Sequence, residues 1–95
     1  MSYVLIRHKV ANYAKWKRVV QAAKTWRKAS GEKSFQVFRS SNAPNDLTIV
    51  CSWDSTARMR QFLESAELRE RMKEAGVVGQ PEIHFFSKAE DLSVA

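Results

Sequence analysis

The chain has 95 residues, 44% apolar and 27% charged, and its sixteen Lys and Arg against ten Asp and Glu give a net charge of +6. That length reads as one domain over residues 1–95 with a single core, and the composition is that of a globular rather than a disordered chain. Cys51 stands alone, which excludes an internal disulfide and a cysteine-built metal cage, and no apolar run approaches the roughly 18 residues of a membrane span.

Tyr3 to Lys9 reads as a first strand. Tyr3 and Leu5 fall on one face and Val4 and Ile6 on the other, so both faces begin apolar, as in a strand covered on both sides. This apolar start meets Arg7, His8 and Lys9 too soon for a secretion signal. A reducing cytoplasm is therefore the expected location. Asn12 then has the character of a helix N-cap. Tyr13, Trp16, Val19, Val20, Ala23 and Trp26 follow at spacings of three and four, which predicts one amphipathic helix ending at Ser30-Gly31. Lys17, Lys24 and Lys28 lie on its opposite side.

Lys33 to Arg39 and Leu47 to Trp53 alternate as strands, joined by the turn cluster Ser40 to Asp46, and so read as a hairpin. Ser55 caps a second helix, with Met59, Phe62, Leu63 and Ala66 as its stripe. Ser65 recaps it into a segment carrying Leu68, Met72 and Ala75, which Gly76 and Gly79 end. Pro81 is expected to open a last strand, Glu82 to Lys88. The tail from Ala89 reads as loosely ordered.

The order βαββαβ predicts a ferredoxin-like α+β fold: an antiparallel four-stranded sheet with both helices on one face. Leu5, Phe38, Val50 and Phe86 then crowd the other face. An exposed apolar sheet face marks an interface, so a homodimer with sheets packed face to face is expected.

Trp53-Asp54-Ser55, followed by Phe62-Leu63-Glu64-Ser65 and Glu67-Leu68, resembles the antibiotic-biosynthesis-monooxygenase type of dimeric α+β barrel. In that type a W-[DE]-S strand end leads into a helix closing with a Ser-x-x-[LF] break, and Val4 to Trp16 fits the pattern too. The resemblance implies the barrel. It leaves the chemistry open among cofactor-free quinone-forming monooxygenases, haem-degrading enzymes, polyketide cyclases, isomerases and proteins of no known activity. The haem-degrading members carry Trp at the position of Phe62, an axial His at that of Met72 and an Asn near Ile6. All three differ here, which argues against haem degradation by that mechanism.

His8 and His84 are the only histidines, on strands that are adjacent in this fold, and either could serve as a general base near neutral pH. Either is equally the kind of residue that a strand uses structurally or at its rim. Arg7 and Arg39 could hold an anion or simply be solvated strand ends. Phe38, Phe86 and Tyr3 could line a ligand site or pack in the dimer seam. Trp16, Trp26 and Trp53 fall at core spacing, and Cys51 sits among apolar strand residues, where a thiol is inert. Neither a phosphate loop nor a nucleophile or zinc motif is present, so no metal or other cofactor is expected. The basic charge suits an acidic partner or a solvated face. RNA-recognition modules share the element order, but stack bases on aromatics in mid-strand, where Leu47 to Trp53 has one only at its end. The expected partners are thus a second copy and a small, aromatic or polyketide-like ligand, with nucleic acid and membranes not expected. Ligand binding without catalysis is the first reading. A cofactor-independent monooxygenase, cyclase or isomerase with a histidine base is the second.

Overall fold

A computed structural model describes residues 1–94. The elements are β1 (Ser2–Val10), α1 (Tyr13–Ala22), α2 (Lys24–Ala29), β2 (Glu32–Arg39), β3 (Asp46–Trp53), α3 (Thr56–Leu63), α4 (Ala66–Glu74) and β4 (Val77–Phe86). The strands form one antiparallel sheet in the order β2-β3-β1-β4. This is the ferredoxin-like α+β arrangement.

Strand periodicity sorts the side chains. Val4, Ile6, His8 and Val10 of β1 and Leu47, Ile49, Cys51 and Trp53 of β3 are buried on the helix side. Trp16, Met59, Phe62 and Ala75 close on them from the helices to make one core. Tyr3, Leu5, Val50, Phe38, His84 and Phe86 occupy the opposite, open face, where Phe38 and Phe86 are 54% and 43% exposed.

The expected first helix is broken at Ala23. Its N–H is shared between the carbonyls of Val19 and Val20, at 3.1 and 3.2 Å, and Arg27 Nη2 donates to the same Val20 carbonyl at 3.1 Å. The second break falls at Ser65, as the sequence predicts. Its hydroxyl donates to the Phe62 carbonyl at 2.7 Å and accepts from the Leu68 N–H at 3.2 Å, ending α3 and capping α4 at once.

The last strand differs from expectation at both ends. It starts at Val77 rather than at Pro81 and stops at Phe86 rather than Lys88. Gly79 is accordingly a strand residue, at φ +74°, and not a helix terminator. Gly79 to Pro81 bulge where the register with β1 shifts between Arg7 and Lys9. β4 is an edge strand, so a proline and a bulge disturb only one ladder.

The Trp53-Asp54-Ser55 corner ties the two halves together. Trp53 Nε1 donates to Ser30 Oγ at 3.2 Å, and the Asp54 N–H donates to the Gly31 carbonyl at 3.0 Å. Arg58 pairs with Asp54 at 2.5 Å and reaches the Ala29 carbonyl at 2.6 Å, while Ser55 Oγ caps α3 through the Arg58 N–H at 3.1 Å.

Candidate functional site

Between the sheet and the helices lies a cavity of about 80 Å³. Roughly 10–15 Å³ of such space holds one water, so it admits a molecular fragment of several atoms. Its wall is mainly apolar, drawn from Ile6, Trp16, Trp26, Phe35, Phe62 and Met72 among others. Trp26 and Trp53 pack on Phe62 at 4.6 and 5.2 Å between ring centroids.

His8 reaches this cavity because it shares the phase of Val4 and Ile6. It is 6% exposed, and its ring meets Trp16 edge-on at 5.9 Å. Its Nδ1 is buried without a hydrogen-bond partner. Burial lowers its pKa, with its own backbone carbonyl and the nearby Asp46 charge acting in the opposite direction. The imidazole is therefore neutral at pH 7, able to accept or donate one hydrogen bond according to tautomer.

A second polar group was not anticipated from sequence. Arg27 Nη1 pairs with Glu32 Oε1 at 2.5 Å, the two side chains being 16% and 6% exposed, and the guanidinium stacks 4.5 Å above Phe35. Arg27 Nε has no hydrogen-bond partner. Burial raises the Glu32 pKa against the pull of the Arg27 charge and hydrogen bond. The signal in the sequence was Arg27 itself: it stands four residues after Ala23, inside the apolar stripe. Cys51 also lines the cavity, but burial, followed by the Glu32 charge, pushes its thiol so far up that it is no nucleophile.

The structure separates the site residues expected from sequence. His84 lies on the open face, where Nε2 meets Glu82 Oε1 at 2.8 Å. That hydrogen bond, then the charges of His84 and Arg7, holds the Glu82 carboxyl below its usual range. Tyr3 stacks on Phe86 at 5.8 Å on the same face. Arg7, Tyr3, Phe86 and His84 thus share the open face of β1 and β4, with the Tyr3–Phe86 pair toward one end and Arg7 toward the other. Phe38 shares their face but sits on β2, three strand spacings from β4, or about 14 Å across the sheet. Arg39 points to the helix side, its guanidinium 4.1 Å above Tyr13 and its Nε donating to the Pro44 carbonyl at 2.7 Å. His8 and His84 are on adjacent strands but opposite faces. Among the described residues no group of three His, Cys, Asp or Glu could hold a metal ion. Ile6, Phe62 and Met72, the positions that set this chain apart from the haem-degrading members, all line the helix-side cavity, and none of them offers a nitrogen.

A ferredoxin-like sheet with broken helix pairs over an apolar cavity defines the class: this is the fold of the antibiotic-biosynthesis-monooxygenase proteins. Among solved structures it is similar to an antibiotic biosynthesis monooxygenase, so named, from Bordetella bronchiseptica, at TM-score 0.76 and 22% identity over 94% of this chain and 97% of that one. It is similar also to SnoaB, a cofactor-independent oxygenase from Streptomyces nogalater, at TM-score 0.76 and 15% identity over 96% and 95%. A third likeness, to a protein named for the same activity from Deinococcus radiodurans, has TM-score 0.69 and 16% identity over 100% and 99%. At these identities the likeness establishes the fold and not the reaction. No protein-family model and no curated protein sequence matches the chain.

Proposed function

We propose that residues 1–95 form one cytoplasmic, homodimeric α+β barrel domain that binds a small aromatic or polyketide-like molecule in the helix-side cavity. The observation that carries this reading is His8 Nδ1, a buried polar atom left unpaired in the wall of an apolar cavity. Such an atom costs on the order of 1–3 kcal/mol unless something bonds to it, and a ligand hydroxyl or carbonyl would do so. The aromatic walls favour a flat, electron-rich partner.

The same nitrogen favours catalysis as a second reading. A neutral imidazole beside a phenol or an activated CH₂ can take its proton. The resulting carbanion could reduce dioxygen, CH₂ and O₂ becoming C=O and H₂O, which needs no added reductant. SnoaB is named as a cofactor-independent oxygenase. His84 with Arg7, Tyr3 and Phe86 remains a separate candidate group, which a second copy of the chain would complete across the seam.

Titrating phenol, whose single ring suits a cavity of this size, against the emission of Trp16, Trp26 and Trp53 tests the cavity. Saturable quenching is expected, weakened about two- to tenfold in His8→Phe, the value of one hydrogen bond. No saturation, or equal affinity in the variant, would remove His8 from the site. Dioxygen uptake with phenolic substrates separates the catalytic reading from simple binding.

A further inference from the structure

The cavity has a neighbour. A groove of about 630 Å³ runs between α4 and β4, and Leu63, Leu68 and Met72 line both spaces. It exists because the helices stop short of the edge strand, leaving Ile83 on the helix side 36% exposed. Arg69 and Lys73 stand over it, one turn apart on the same side of α4, with Gln80 of the β4 bulge also lining it. No acidic side chain lines this groove. Neither Arg69 nor Lys73 has an ion pair or side-chain hydrogen bond among the described residues, and Glu67 is taken by Arg71 at 3.0 Å. Two like charges at this spacing repel each other in the empty protein, and an anion between them relieves the repulsion.

We propose that this groove is the mouth of the cavity and holds the anionic group of an amphipathic aromatic acid, with Arg69 and Lys73 as its contacts. The proposal rests on the cavity reading above and adds the substrate class: a flat apolar body that enters past Leu68 and Met72, and a carboxylate or comparable anion that stays at the rim. Arg7 on the open face and Arg39 packed on Tyr13 are poorly placed for that task.

The test compares benzoate with its neutral counterpart benzamide by titration calorimetry at low salt. The wild-type chain should prefer the anion about tenfold, and the preference should shrink as salt rises. The double variant Arg69→Gln, Lys73→Gln should bind both alike, with affinity for the amide unchanged. Lys17→Gln, Lys24→Gln, which removes the same charge from the exposed side of α1 and α2, should keep the preference. A wild-type protein that binds the amide but gains nothing from the carboxylate overturns the mouth and leaves the cavity standing. So does a preference that survives the groove variant, or one that both double variants abolish equally. If neither compound binds, the cavity reading falls and the proposal falls with it.

Discussion

His8 was legible as a residue sharing the face of Val4 and Ile6, but its depth was not. The strand was expected to stop at Lys9, which would have left His8 near a rim; β1 runs on to Val10, and Trp16 covers the ring. The burial has a consequence for pH. With its folded-state pKa lowered, His8 refuses a proton that the unfolded chain accepts below about pH 6.5. Its contribution to stability is complete above that pH and is lost as pH falls toward the folded-state value, by up to about 1.4 kcal/mol per pH unit. Glu32 acts with the opposite sign: its raised pKa makes stability decline as pH rises from about 4.5. Comparing His8→Phe with wild type isolates the histidine. Urea midpoints at pH 7.5 and 5.5 should fall further apart in wild type than in the variant, and an equal drop in both would mean that His8 is not buried in solution.

At the scale of elements, the sequence spoke most clearly where side chains cap or turn the backbone. Asn12, Ser55 and Ser65 are N-caps as expected, accepting from Lys15, Arg58 and Leu68 at 3.0, 3.1 and 3.2 Å. The break at Ala23 was hidden, because alanine is a strong helix former and the contact that spans the break, Arg27 to the Val20 carbonyl, is a tertiary one. Gly31 was legible as a C′ glycine, but its second role was not. At φ +100°, a Cβ there would fall 2.5 Å from Asp54 Oδ1 and 3.0 Å from Arg58 Cζ. Gly31→Ala therefore strains the backbone and also wedges apart the corner that joins α2 to β3. The expected loss is about 1–3 kcal/mol in urea denaturation. A loss below about 0.5 kcal/mol, the range of surface substitutions, would show that the corner yields freely.

For the whole molecule, the accessible surface is 6543 Å², whereas a compact monomer of 10.9 kDa exposes about 5,600 Å². The excess, shared between the open sheet face and the tail after Phe86, is of the order that one partner gives up in a standard interface, about 800 Å². The molecule is also thin, at 38 × 32 × 21 Å, as one sheet with one helical layer must be. The element order and the apolar alternation made the open face visible in the sequence. Nothing in the sequence showed which face would carry a cavity, because that depends on how far the helices reach across β4. Under the proposed function the two sheet faces have separate tasks, the open face joining two copies and the helix face holding the ligand. Leu5 lies in the middle of the open face, paired with Val50 and His84, and its side chain points away from the cavity. The decisive measurement is the affinity of Leu5→Glu for phenol, taken with its mass by light scattering. We predict a wild-type dimer and a folded monomeric variant whose affinity stays within about twofold of wild type. A monomeric wild type, or a folded monomeric variant that no longer binds, would contradict the division and place the ligand at the seam.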